Sequence, residues 1–292
     1  MIKIIVNPQA DKGKSGFLWR EIETRIKKLD IEYEPVFTQS PKHATDLAKK
    51  AQQEGLKLIF VVGGDGTVSE VINGIYQEDL VLGVIPTGSG NDFAKMLGVR
   101  TILDGLSLFT TTFKKAVDVG CLNQDKYFIN NLGIGLDAYV VELQKRTKFR
   151  DEVGYLFSTL KILFSFSEFP IKVVTSDFEF FGNVLSLSIG NGQYHGGIFR
   201  LTPQAKIDDG FLDGCIIKEI SKLKRVLTIP KAIKGSHLSL KEVKSFKSKK
   251  ISISSSIALP LHLDGELFAP LKELEIEVLP RKLTFLTPNF GL

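Results

Sequence analysis

Leu56-Lys57-Leu58-Ile59-Phe60-Val61-Val62-Gly63-Gly64-Asp65-Gly66-Thr67 sets the architecture of the first third of the chain. Residues 56–62 make a nearly unbroken apolar run, which reads as a strand buried on both faces. Gly63-Gly64-Asp65-Gly66 interrupts it, and Thr67 to Ile75 continues as a helix. The alternation extends in both directions. Upstream, Lys3 to Val6 reads as a strand, Phe17 to Leu29 as a helix, and Tyr33 to Phe37 as a strand. Pro41 to Gln53 reads as a helix with Ser40 as its N-cap. Downstream, Leu80 to Ile85 is another buried strand, ending at Pro86. Strands alternating with helices over short connections predict a parallel sheet covered on both faces.

The character changes after residue 115. Strand-like runs recur at Phe128 to Leu132, Ile171 to Val174, Asn183 to Ile189, Gly210 to Ile217, Lys250 to Ser254, Leu259 to Leu263 and Leu274 to Val278. Gly, Asp and Pro turns separate them, which predicts an antiparallel β domain, interrupted by helical patches at Ala138 to Lys148 and Gly154 to Phe166. The fold class expected is α/β plus mainly β: a three-layer α/β domain over 1–118, then a β-sandwich-like domain over 119–282. Residues 283–292 are expected to return to the first domain.

Composition narrows the function. With 292 residues, 43% hydrophobic and 24% charged, the chain is neither disordered nor fibrous. Cys121 and Cys215 form no CxxC pair, and His43, His195, His237 and His262 make no HxxxH pair. Disulfide frameworks and Cys- or His-based metal sites therefore lack support, and a reducing compartment fits best. The start carries no apolar run of signal-peptide length, and Lys161 and Glu168 interrupt the most hydrophobic stretch, Tyr155 to Phe169. A cytoplasmic protein is expected. Eleven Lys or Arg against two Glu between Lys218 and Lys250 give +9 of a net +5. Such a face can meet phosphate-bearing surfaces, and as plain sequence it can equally be a solvated face.

Two loops can carry chemistry. Gly63 to Thr67 and Pro86-Thr87-Gly88-Ser89-Gly90-Asn91-Asp92-Phe93 each follow a buried strand and open a helix. In a parallel sheet such loops emerge at the carboxyl ends of strands, where ligands bind. Glycines admit a close backbone approach, and helix N-termini offer amides to an anion. An acid such as Asp65 beside a phosphate calls for a cation, and Mg²⁺ binds through carboxylates and phosphates. Walker A fails because Pro8 stands where a Gly must precede Gly13-Lys14-Ser15. GxGxxG fails at Ser69 and at Phe93, and there is no GxSxG elbow.

Gly63-Gly64-Asp65-Gly66-Thr67, followed by Glu70, Asn73 and Gly74, resembles the diacylglycerol kinase catalytic signature. Asn7-Pro8, the Gly88 to Phe93 loop, Val117-Asp118-Val119-Gly120, Asp208-Asp209-Gly210 and Asp264-Gly265-Glu266 follow in family order. The chain thus resembles the bacterial soluble lipid kinases, relatives of sphingosine and ceramide kinases. GGDGT alone is shared with NAD kinases and phosphofructokinases, whereas the late DDG and DGE are specific to the lipid-kinase group. Departures are the run Gln9-Ala10-Asp11 where small residues are usual, Ser89 for Thr, and Lys95 for Arg.

The resemblance implies ATP contacts from Asn7, Pro8, Gln9, Ala10 and Asp11, from Thr38, from Gly64, Asp65, Gly66, Thr67, Val68, Ser69 and Glu70, and from Ser89. It implies catalytic Mg²⁺ held by Asp65, Asp92 and Asp118 through an acid and water network. Glu266 would accept the proton of the lipid hydroxyl, with Asp65 the other candidate catalytic residue. A structural Mg²⁺ would take the Asp209 carboxylate and the carbonyls of Lys206 and Phe211. The expected function is ATP-dependent phosphorylation of diacylglycerol or a related lipid. The rivals are a kinase of a soluble substrate and a nucleotide-binding regulatory protein without turnover. The expected partners are a membrane lipid and an anionic membrane surface contacted peripherally, through Lys222, Lys224 and Arg225, with no nucleic acid. The oligomeric state is left open, a homodimer among the options. Phe157, Phe164, Phe166, Phe169, Phe178, Phe180 and Phe181 are expected to be mostly core, with some lining an acyl cavity.

Overall fold

In the computed structural model, residues 1–75, 80–146 and 162–289 are described. They fall into two units: Met1–Val119 with Pro280–Leu292, and Gly120–Leu279.

The first unit is built on β1 (Ile2–Val6), β2 (Tyr33–Phe37), β3 (Leu58–Gly63) and β4 (Val81–Pro86), all parallel in the order β2-β1-β3-β4. Strands β1, β3 and β4 are almost fully buried, as their apolar runs require. Helix α1 (Lys14–Ile26) buries Trp19, Ile22 and Ile26, one stripe at helical spacing. Helices α2 (His43–Gln53) and α3 (Asp65–Ile72) pack on each other, and α2 presents the small side chains of Ala44, Ala48 and Ala51. Helix α4 (Asp92–Met96) follows β4. A capping box formed by Thr101 and Asp104 starts α5 (Ile102–Ser107), which packs on β4 and α1.

Strand order 2-1-3-4 means that the chain winds one way from β1 to β2 and the other way from β2 onward. Right-handed crossovers then put α1 on one sheet face and α2 and α3 on the other. The reversal lies between β1 and β3, where open α/β sheets bind ligands.

The second unit takes the end of β5 (Lys114–Leu122), which forms a hairpin with β6 (Lys126–Phe128), then β7 (Asn131–Gly135) and α6 (Leu136–Arg146). Strands β8 (Phe169–Val174), β9 (Glu179–Gly190) and β10 (Leu212–Lys218) follow, then α7 (Lys222–Lys234). Strands β11 (Val243–Ser248), β12 (Lys250–Leu263) and β13 (Glu266–Leu286) complete it. Strands β7 to β13 pair with one another antiparallel. Strands β9 and β12 are joined twice, through β7 at one end and β8 at the other, which wraps the sheet around Leu132, Ile134, Leu187, Ile189, Ile253 and Leu261. Strand β13 begins in this unit and ends in the first, where Thr284 and Phe285 lie parallel to Val81 and Leu82. The α/β plus mainly β class is thereby seen directly.

Local boundaries differ from expectation in instructive ways. Lys42, in a left-handed conformation, rather than Ser40 precedes α2, and it makes no side-chain cap. Helix α3 starts at Asp65 with Gly64 as its N-cap, so Asp65 and Gly66 of the glycine-rich loop belong to its first turn. Residues 250–254 and 259–263 belong to one strand, β12, with register shifts between them. Of the helix expected over 154–166, residues 154–161 lie outside the described residues, and 162–165 are helical. Phe157 is likewise outside. Phe169 is core, Phe166, Phe178 and Phe180 pack against it, and Phe164 and Phe181 are exposed. A cavity of about 220 Å³ in this unit is lined by Thr202, Asp213, Cys215, Phe246 and Lys247 among others, and by none of the six of those phenylalanines that are among the described residues. Among the described residues no helix is long and apolar enough to cross a membrane.

Candidate active site

Three loops at the carboxyl ends of β1, β3 and β4 are tied to one another in the first unit. Asn7 Nδ2 donates to Thr67 Oγ1 at 2.9 Å, linking the loops on either side of the winding reversal. Its Oδ1 accepts the Gln9 amide at 3.0 Å, shaping the turn. Ser89 Oγ donates to Asp11 Oδ1 at 2.6 Å, and the Ser15 and Thr87 hydroxyls meet at 2.8 Å below them. Asp65 Oδ1 accepts the Phe93 amide at 2.9 Å, which binds the first turn of α3 to the first turn of α4. Asn91, at φ 53°, closes its own turn by exchanging hydrogen bonds with the Gly88 amide and carbonyl.

The other two acids expected near Mg²⁺ are buried. Asp92 is 3% exposed with Lys95 Nζ 3.2 Å away. Asp118 is fully buried, and its Oδ1 accepts the Arg281 amide at 2.8 Å. Hard carboxylate oxygens suit Mg²⁺. Among the described residues, however, no three His, Cys, Asp or Glu side chains gather closely enough to hold one ion directly. The resemblance implies that Asp65, Asp92 and Asp118 would act toward Mg²⁺ through water.

Other expected nucleotide contacts carry structural bonds and packing of their own. Glu70 turns its carboxylate to the Ala44 amide at 3.2 Å, filling the cap that α2 lacks of its own. The Val68 side chain is core and Ser69 is buried. Thr38 is buried at the end of β2, its amide bonded to the Val6 carbonyl at 2.9 Å.

In the second unit, Glu266 opens β13, paired with Leu263 across the two-residue turn Asp264-Gly265. Both turn residues have positive φ, 47° and 80°, the conformation of a tight hairpin that Asp-Gly favours. The Asp264 carboxylate accepts three backbone amides, from Ile129, Asn130 and Asn131, at 2.8, 2.9 and 2.9 Å. Asp264 is therefore the clamp that holds the turn, and Glu266 is the half-buried carboxylate beside it.

Behind the turn lies a buried cluster that sequence spacing did not reveal. The Gly265 amide donates to His262 Nδ1 at 3.2 Å, so that nitrogen is bare and Nε2 carries the proton. His262 Nε2 stands 3.4 Å from Asp137 Oδ2, which also accepts the Ser188 hydroxyl at 3.2 Å and lies 3.9 Å from His195 Nδ1. Burial pushes the Asp137 carboxyl up. His262, His195 and the Ser188 hydrogen bond outweigh it and bring it down to about 2.

Asp209 Oδ1 accepts the Phe211 amide at 3.1 Å, and Oδ2 meets Lys247 Nζ at 2.6 Å. Lys247 is shared with Asp213, 3.7 Å away, whose buried Oδ2 makes no hydrogen bond. Burial raises the Asp213 carboxyl, Lys247 opposes this, and Asp209 adds to it. The resemblance implies a cation here, held by the Asp209 carboxylate and the carbonyls of Lys206 and Phe211.

Two family models match the chain: the diacylglycerol kinase catalytic domain over residues 1–122, and the YegS C-terminal NAD kinase beta sandwich-like domain over 130–287. The chain belongs to the bacterial diacylglycerol kinase family. A curated relative from Staphylococcus carnosus named diacylglycerol kinase is 30% identical, over 90% of this chain and 88% of its own length. One of the same name from Staphylococcus aureus strain MRSA252 is 30% identical over 90% and 85%. The crystal structure of a diacylglycerol kinase from Bacillus anthracis superposes with a TM-score of 0.81 at 29% identity, covering 100% of this chain and 98% of that one. This diacylglycerol kinase family member is accordingly a kinase, a phosphotransferase. Its Asp137, His195 and His262 escaped sequence reading because they lie far apart along the chain, with no motif spacing to join them. Thr87 and Asn91 did sit in a recognisable Gly-rich loop.

Proposed function

We propose that the protein transfers the γ-phosphate of ATP to a hydroxyl of diacylglycerol or a related lipid. What supports this best is the set of three mutually tied loops at the carboxyl ends of β1, β3 and β4, rich in amides and hydroxyls and bordered by Asp65, Asp92 and Asp118. Phosphoryl transfer asks little covalent chemistry of a protein; it asks for positioning and charge neutralisation. Amides of the Gly64–Thr67 and Asn7–Asp11 loops and the Ser89 hydroxyl would seat the phosphates. Bound Mg²⁺ would supply neutralisation of phosphate charge, oriented by the three aspartates. Glu266 would take the hydroxyl proton as the lipid oxygen bonds to the γ-phosphorus and the bond to the β-phosphate oxygen breaks, leaving ADP. Asp264 and His262 fix the turn from which Glu266 projects.

The test is radiolabelled ATP with Mg²⁺ and vesicles carrying diacylglycerol, phosphatidylglycerol, ceramide or a sphingoid base. A labelled lipid is expected. Turnover of NAD or a sugar phosphate without vesicles would move the protein to a soluble substrate, and ATP binding without any ADP would make it a regulator.

A further inference from the structure

Helix α7 is built inside out. A surface helix ordinarily buries its apolar stripe and turns its charges to water. Here Arg225, Thr228 and Ala232, at i, i+3 and i+7, form the buried face, and Arg225 is 4% exposed. Leu223, Leu227 and Ile233 are 69%, 64% and 39% exposed. At about 100° per residue these three fall within an arc of roughly 120°, opposite Arg225.

The inversion has a cause. Arg225 Nη1 donates to the Leu163 and Phe166 carbonyls, both at 2.7 Å, its Nε to the Ile220 carbonyl, and its Nη2 to Glu168. The guanidinium satisfies carbonyls around the end of the helical turn at 162–165, groups that a helix end leaves without partners. Holding Arg225 inward forces the leucines outward. This corrects the expectation that Lys222, Lys224 and Arg225 together form a basic docking face: Arg225 is interior, and Lys224 is paired with Glu242 at 2.5 Å.

Around the apolar row the same unit adds two more exposed apolar side chains. Phe164, 42% exposed, lies between the two residues whose carbonyls hold Arg225. Ile198, 58% exposed, sits two residues before Arg200, whose amide bonds the Ala232 carbonyl of α7 at 2.9 Å. Helix α7 has no acidic residue; Lys222 and Lys231 flank the row and Lys234 ends it, all exposed.

We propose that the outward face of α7 is the surface by which this protein docks on an anionic lipid layer, with Leu223, Leu227 and Ile233 inserted and Lys222, Lys231 and Lys234 at the headgroups. An apolar row edged by lysines and free of acids has the composition of an interfacial helix, whose lysine stems lie along the apolar zone while the ammonium groups reach anionic headgroups. A second copy fits worse, since a two-fold contact of this face with itself sets lysines against lysines. The inference rests on the lipid-kinase reading only in its choice of occupant.

The experiment is flotation of the full chain with phosphatidylcholine vesicles, with and without phosphatidylglycerol. Turnover of a short-chain, water-soluble diacylglycerol is measured in parallel. Wild type should float with the phosphatidylglycerol vesicles. Leu223→Gln/Leu227→Gln should lower partition by about tenfold or more, since each loses an inserted leucine. Lys222→Gln/Lys231→Gln/Lys234→Gln should abolish the preference for phosphatidylglycerol. Both variants should keep the wild-type melting temperature and the turnover of soluble diacylglycerol. Wild-type flotation of the leucine variant, no flotation of wild type, or a wild-type dimer that the leucine variant splits would each overturn the proposal. Flotation without any lipid phosphorylation would instead overturn the kinase reading and leave the docking face standing.

Discussion

A side-chain carbon on Gly88 would fall 2.5 Å from the Gly64 Cα and 2.9 Å from Asn91 Oδ1. The loops after β3 and β4 thus touch backbone to backbone, and no residue with a Cβ fits at the contact. Gly88→Ala should push the two loops apart, costing about 1–3 kcal/mol as overpacking does and raising the KM for ATP. Gly66, in the first turn of α3, has open space around it, so Gly66→Ala should hold or raise the melting temperature by virtue of helix propensity. Thermal melts of the two variants side by side check both statements. Equal stability of Gly88→Ala and wild type would mean the loops do not meet.

The base is assigned by comparing conservative variants. Glu266→Gln keeps size and hydrogen bonding and removes the proton acceptor, so turnover should fall by about 10²–10⁴-fold with little change in ATP affinity. Asp65→Asn should also lower turnover, and it should weaken the tie to the Phe93 amide. Retention of most activity by Glu266→Gln while Asp65→Asn abolished it would transfer the base role to Asp65.

Asp264 should behave as a structural acid. Its carboxylate gathers three amides, so Asp264→Ala strips three charge-assisted acceptor bonds from Ile129, Asn130 and Asn131. A loss on the order of 3 kcal/mol is expected by urea unfolding, since each unpaired buried donor costs about 1–3 kcal/mol and relaxation recovers part. Glu266→Gln should leave stability unchanged. If both variants unfolded at the same urea concentration, the division of labour between clamp and base would fail.

The fold was legible where the signal is local. Runs such as Leu58 to Val62 are buried on both faces, and Gly-Asp loops at their ends punctuate them, so strand–helix alternation shows in the residues themselves. Cross-ties are another matter: Asn7 meets Thr67 across 60 positions and Ser89 meets Asp11 across 78. Nothing local encodes such pairs unless a family pattern supplies them. For the cluster of Asp137, His195 and His262 there was no such pattern. Helix α7 shows a different limit. Periodicity identifies its two faces but assumes that the apolar one is buried, and Arg225, bound to the carbonyls of Leu163 and Phe166, reverses that.

Asp209 and Asp213 share Lys247, which leaves one negative charge uncompensated in a partly buried place. Added Mg²⁺ should therefore raise the melting temperature of wild type and not that of Asp209→Ala. The variant should also melt lower than wild type in EDTA, because it loses the Lys247 ion pair and the Phe211 amide bond. An equal Mg²⁺ response in both proteins would remove Asp209 from any ion site.

The Asp137 carboxyl makes acid stability informative. Its pKa falls from the ordinary 3.8 to about 2 because the histidines and the Ser188 hydroxyl outweigh burial. A depressed folded-state pKa stabilises the protein above the unfolded value, and that stability disappears as pH falls through the folded value. At 1.36 kcal/mol per pH unit the contribution is about 2 kcal/mol, fully present above 3.8 and gone below about 2. Asp137→Asn should accordingly be less stable than wild type by about that much at neutral pH, with the gap closing as pH falls through this window. Urea titrations at a series of acidic pH values measure the gap directly. A gap that stayed constant with pH would show that Asp137 acts through shape and neutral hydrogen bonds. The contact with His262 would then contribute nothing through charge to the support behind Gly265 and Glu266.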